Sequence, residues 1–127
     1  MKKIINTKKA PQPIGPYSQA VLIKDTLYTS GQIALDADSG ELILDTIKVE
    51  TTKVMDNMSE VLKAAGMSFE NVVKSSIFLS DMGDFQEVNE VYASYFDESS
   101  APARETVQVA ELPKKVNVEI SMVAVMS

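Results

Sequence analysis

Residues 45–66 constrain the fold more than any other stretch. Val54, Met58, Val61, Leu62 and Ala65 recur at i, i+4, i+7, i+8 and i+11, which puts them on one stripe of a helix. A helix with one apolar stripe must bury it against another layer. Asp45 or Thr46 suits its start. Gly66 suits its end, because glycine takes the left-handed conformation that closes a helix at little cost. The methionines on the stripe read as filler for irregular core space rather than as a functional surface.

The other layer comes from β-type runs on either side. Residues 10–16, Ala-Pro-Gln-Pro-Ile-Gly-Pro, forbid helix and form a stiff lead-in to Tyr17. Residues 18–23 and 26–30 read as strands joined by Lys24-Asp25, a two-residue link that predicts a hairpin. Gly31 then permits a bulge or the close approach of another group. Residues 71–80 hold Val72, Val73, Ile77, Phe78 and Leu79 and read as a strand buried on both faces. Asp81 suits the cap of a second helix running to about Phe96, with Phe85, Val88, Tyr92, Tyr95 and Phe96 inward. Strand-type runs at 106–110 and 116–122 complete the order. The expected architecture is α+β in one domain over 1–127: a mixed sheet with both helices on one face. Its other face would be partly apolar and would call for a partner subunit.

Composition removes several kinds of chemistry. The chain has no cysteine and no histidine, so thiol nucleophiles, thiolate metal sites and Ser-His-Asp arrangements are excluded. A net charge of −6 argues against a nucleic-acid-binding face. Lys2, Lys3, Lys8 and Lys9 read as a solvated terminus, and the N-terminal stretch lacks the apolar core of a secretion signal. No window reaches the roughly 20 apolar residues of a membrane span, and the cytoplasm is the expected address. Chemistry falls to carboxylates, hydroxyls, backbone groups, lysines and Arg104, the only arginine in the chain. A guanidinium can grip a carboxylate through two parallel hydrogen bonds, which lysine cannot. An ordinary surface arginine is the alternative.

Several motifs carry a resemblance. Gly15-Pro16-Tyr17-Ser18-Gln19-Ala20, Thr29-Ser30-Gly31-Gln32, Asn89-Glu90-Val91-Tyr92, Pro102-Ala103-Arg104, Leu112-Pro113 and Val118-Glu119-Ile120 occur in the order seen in the Rid (YjgF) family of reactive intermediate deaminases. The resemblance covers essentially the whole chain. It implies a chorismate-mutase-like fold and a homotrimer with clefts between subunits. The implied reaction is hydrolysis of 2-imino acids and their enamine tautomers, such as 2-iminobutanoate and 2-iminopropanoate, to 2-oxo acids and ammonia. No metal and no organic cofactor is implied. It also corrects one local expectation. The link 111–115 suggests that the last two strands pair as a hairpin, whereas the family fold sets the final strand between earlier ones. Five residues reach at most roughly 17 Å, enough to hop over one neighbouring strand.

An imino acid offers a carboxylate and an electrophilic carbon beside a C=N bond. Arg104 is the implied carboxylate clamp and Glu119 the implied base that orients the water, both expected to face one pocket. For Glu119 a plain strand carboxylate is the alternative. Val118 and Ile120 point to the opposite face from it, and the sequence does not say which face is wet. Tyr17, Ser30, Gly31, Asn89 and Thr106 are the candidate substrate-binding residues, with an interface aromatic as the alternative for Tyr17 and an inert helix position for Asn89. Thr106 stands where many bacterial members carry cysteine, which removes thiol-dependent behaviour and leaves the hydrolysis intact. The rival functions are a non-catalytic 2-oxo acid-binding regulatory protein, a ribonuclease or translation inhibitor, and a chaperone-like protein.

Overall fold

In the computed structural model, which describes residues 1–127, the first helix, α1, spans Ile47–Ala64. Thr46 caps it, its Oγ1 accepting from the Val49 amide at 3.1 Å. At the other end Gly66 takes a φ of 74°. This lets its own amide reach Lys63 O and the Met67 amide reach Leu62 O, the paired bonds that close a helix on a left-handed residue. Val54, Met58, Val61 and Leu62 are fully buried, so the stripe read from the sequence is the core face.

The second helix, α2, is shorter than expected, Phe85–Ala93. Asp81 caps a separate 3-10 turn, Met82–Asp84, through Gly83 N, and α2 itself has no side-chain cap. Tyr95 and Phe96 lie beyond the helix yet pack on Phe69 edge to face, at 5.3 and 5.5 Å between ring centroids.

Six strands form the sheet: β1 Lys2–Ile5, β2 Ala20–Ile23, β3 Thr26–Thr29, β4 Val72–Leu79, β5 Ala103–Gln108 and β6 Val118–Val125. Their order in space is β1-β2-β3-β6-β4-β5. Only β4 and β5 run parallel. The β2–β3 hairpin closes through Lys24-Asp25, with Lys24 at a φ of 53°. β6 enters between β3 and β4, as the family resemblance implies and against the local hairpin reading. The connection from β5 crosses over β4 through a 3-10 turn at Pro113–Lys115.

Three expectations need correction. The basic N-terminus is not merely solvated: Lys2–Ile5 pairs antiparallel with β2 as an edge strand. Two exposed lysines on an edge discourage further pairing. β5 begins three residues earlier than expected and β6 runs three residues later, because each is fixed by its pairing with β4 and β3. β4 is not buried on both faces within the chain. Val72, Ser75, Ile77 and Leu79 are buried toward the helices, whereas Lys74, Ser76 and Phe78 on the other face are half-exposed. The sheet therefore has one helix-covered face and one open face.

Candidate functional site

Arg104 is the second residue of β5 and lies in register with Ser75 of β4. Ser75 is fully buried under the helices, so Arg104 projects to the helix-covered face at the sheet edge. There α2 presents Phe85, Asn89 and Tyr92, spaced i, i+4 and i+7 on one helical face. Arg104 Nη1 donates to Asn89 Oδ1 at 2.6 Å. The guanidinium carbon lies 5.6 Å from the Phe85 ring centroid and 5.2 Å from that of Tyr92. Tyr92 donates its hydroxyl to Ser75 Oγ at 2.9 Å, and burial raises its pKa above 10.0. Arg104 takes part in none of the ion pairs of the chain. Asn89 and Arg104 line a cleft of about 630 Å³ with Tyr92, Phe96, Glu98 and Pro102. Thr106, two residues along the same face of β5, has a buried Oγ1 without a hydrogen-bond partner.

Glu119 sits on β6 between Val118 and Ile120, both fully buried toward the helices. Its side chain therefore points to the open face of the sheet. It is half-buried, no ion pair holds it, and burial alone pushes its pKa above the ordinary 4.5. Gly31 makes room for it: a Cβ there would stand 2.7 Å from the Glu119 carboxyl carbon. Gly31 also belongs to a bulge. Tyr28 pairs with Val123 and Gln32 with Ile120, so four steps on one strand face three on the other. Thr29 Oγ1 accepts from the Met122 amide beside that irregularity. Both readings offered for Gly31, bulge and close approach, therefore apply.

Tyr17 is 53% exposed and lines a separate cavity of about 310 Å³ with Ile14, Gly31 and Pro113. Ser30 faces the lead-in rather than open space. Its amide donates to Gln19 O and its hydroxyl to Ser18 O at 2.6 Å, so the side chain serves to anchor the segment carrying Tyr17.

The expected site residues thus fall into two groups. Arg104, Asn89 and Thr106 lie on the helix-covered face, while Glu119 projects on the open face beside Gly31. The expectation that Arg104 and Glu119 face one pocket fails within one chain. The cause is the two-residue period of a strand: Ile120 pairs with Ile77 and Glu119 with Phe78, one position off the Ser75–Arg104 face.

Three buried polar side chains that sequence reasoning passed over hold the irregular segments around these groups. Gln19 donates to the carbonyls of Thr7, Ala10 and Pro11 and accepts from the Thr7 amide. Prolines in that stretch leave carbonyls with few amide donors, and one amide side chain supplies them. Asn57 donates to the carbonyls of Ile33 and Leu35. Glu50 accepts from Asn117 N, Asn117 Nδ2 and Val118 N, which fixes the entry to β6 one residue before Glu119. A polar residue opposite or beside an apolar stripe reads as solvated, so only Gln19, within a quoted motif, carried any signal. Tyr92 lies in the core and Phe85 packs against it, as their inward positions predict, and their spacing with Asn89 is the signal that α2 also faces Arg104.

Known proteins share the sequence and fold of this chain. The family model described as Endoribonuclease L-PSP matches residues 7–126. A human 2-iminobutanoate/2-iminopropanoate deaminase is 50% identical over 98% of this chain and 90% of its own length. A RutC family protein of Synechocystis is also 50% identical, over 98% of this chain and 96% of its own. Among solved structures, a putative endoribonuclease from Thermotoga maritima superposes with a TM-score of 0.96 at 46% identity, covering 100% of this chain and 99% of that one. Escherichia coli TdcF with bound serine gives 0.92 at 42% identity, covering 98% and 99%. The strand order, the motifs around Arg104 and Glu119 and these likenesses lead to one conclusion: the chain belongs to the Endoribonuclease L-PSP family, the YjgF or Rid family that its sequence resembles.

Proposed function

We propose that this chain, as one domain over residues 1–127, is an enzyme that hydrolyses 2-imino acids to 2-oxo acids and ammonia. Its reading as a deaminase of 2-iminobutanoate and 2-iminopropanoate follows the relatives named for that activity. The observation that carries it is Glu119: a half-buried carboxylate with no cation partner and a raised pKa. Such a group gains basicity, and general-base action by a placed side chain supplies about 10²–10⁴-fold in rate. Imines already hydrolyse in water, so a gain of that size suffices. Glu119 would take a proton from water as its oxygen bonds to the imine carbon. The C=N electron pair moves to nitrogen, which takes up a proton. Glu119 then returns its own proton to the carbinolamine nitrogen, the C–N bond breaks, and ammonia leaves as the hydroxyl releases its proton to water and the C=O bond forms.

Arg104 is assigned to the substrate carboxylate. Asn89 occupies Nη1, which leaves the parallel Nε–Hε and Nη2–H donors for a bidentate grip. TdcF, a structural relative with serine bound, supports a ligand bearing an amino-acid carboxylate. Thr106 Oγ1 and the backbone of Gly31, with Tyr17 from the same cavity lining, are assigned to the rest of the substrate. Ser30 acts through the backbone it anchors. No metal or organic cofactor enters this reading.

Because Arg104 and Glu119 lie on opposite faces of one sheet, the reading requires a cleft that joins one subunit's Arg104 to its neighbour's Glu119, and the homotrimer implied by the family resemblance would supply three such clefts. The exposed apolar side chains Ile23, Tyr28 and Val107 give the copies a surface to cover. A purely 2-oxo acid-binding protein would need the arginine and not a placed carboxylate. A ribonuclease reading has less support in a chain with net charge −6 and no histidine.

The experiment generates 2-iminobutanoate in situ with an amino-acid oxidase and traps it with semicarbazide. Wild type should suppress the semicarbazone, and Arg104→Lys, which loses the fork, should not. If wild type also fails to suppress it, the deaminase reading is wrong and titration with 2-oxobutanoate tests the binding reading.

A further inference from the structure

We infer that Phe85 is a positioning residue for Arg104, its ring and that of Tyr92 holding the guanidinium plane in the orientation a carboxylate needs. This rests on the assignment of Arg104 as the carboxylate clamp. Arginine carries a long side chain with several free torsions, and a clamp gains only if those torsions are fixed before the ligand arrives. One hydrogen bond from Nη1 to Asn89 fixes a point, not a plane. The two ring contacts, at 5.6 and 5.2 Å, lie within the reach of cation–π attraction, and with the Asn89 bond they define the plane. Tyr92 is in turn tied to Ser75, the β4 residue in register with Arg104, so α2 is bonded to β4 there and to β5 through Asn89.

Of the two rings, Phe85 offers the cleaner test. It is partly buried at the edge of the core, and leucine there keeps apolar contact while removing the ring. Tyr92 is buried and also bonds Ser75, so its replacement disturbs packing as well.

Arg104 is the only arginine, so its Nε–Hε group gives one unambiguous NMR signal. Phe85→Leu should move that signal out of the ring-current-shifted position of wild type, and Phe85→Tyr should leave it in place. In the same proteins Phe85→Leu should weaken 2-oxobutanoate binding by about three- to tenfold. Phe85→Tyr should stay within about twofold of wild type, and kcat for 2-iminobutanoate should change little in either, as expected when uniform binding is lost. An unmoved Nε signal in Phe85→Leu, or equal weakening by leucine and tyrosine, overturns the inference while leaving deaminase activity standing. Absence of both turnover and 2-oxobutanoate binding in wild type overturns the deaminase reading itself, and with it the role assigned to Phe85.

Discussion

At the residue scale, the two groups assigned to chemistry are distinguished by what they lack. Arg104 has no carboxylate and Glu119 no cation. A half-buried charge without a partner costs folding energy, so Glu119→Gln should keep or raise the melting temperature at pH 7 while activity falls by about 10²-fold or more. A lower melting temperature with intact activity would mark Glu119 as structural. The pH dependence follows the same asymmetry. The folded pKa of Glu119 lies above its unfolded value. Its contribution therefore favours the fold fully below the unfolded pKa and is lost as pH rises through the folded one. Activity runs the other way, with an acid limb above pH 4.5, the ordinary value for the group. Gly31→Ala sets a Cβ 2.7 Å from the Glu119 carboxyl carbon. It should lower kcat by roughly tenfold or more by displacing that group, and a crystal structure of the variant should show the carboxylate moved. Alternation told in advance that Glu119 opposes Val118 and Ile120. It could not tell which face Arg104 takes, because that depends on a register with β4 formed across nearly thirty residues of chain.

At the element scale, helix α1 was legible almost to the residue because its stripe and both caps are local. Its polar contribution was not. Glu50 is fully buried and bonds the chain 67 and 68 residues away, and no local pattern encodes such a partner. Glu50→Ala leaves the Asn117 amide and side chain and the Val118 amide without their acceptor, which should cost roughly 3–5 kcal/mol, read by urea denaturation. A loss under about 1 kcal/mol would mean that water replaces the carboxylate. The hairpin at Lys24-Asp25 was legible from link length alone. Strand β1, four residues with two lysines, was too short and too charged to announce itself; its pairing with β2 makes it a strand.

At the scale of the whole molecule, the open sheet face and the divided site call for another copy of the chain, and the proposed homotrimer sets the number. Sedimentation should give three times the 13.9 kDa chain mass. Tyr28→Glu, on an exposed position of that face, should yield folded monomers without deaminase activity. A monomeric wild type that is active would overturn the shared-cleft account. The sheet order is implied by the family resemblance and not by local signals, since the short link alone favours a hairpin. That order has a further consequence for biosynthesis. Residues 118–125 form the strand between β3 and β4, so a growing chain holds two unconnected half-sheets until they emerge. Ribosomes add about 5–20 residues per second, and for the seconds before β6 appears the edges of β3 and β4 stand bare. Closing the sheet is then a long-range event of the slow-folding kind, and the nascent chain is most in need of a chaperone just before its last strand arrives.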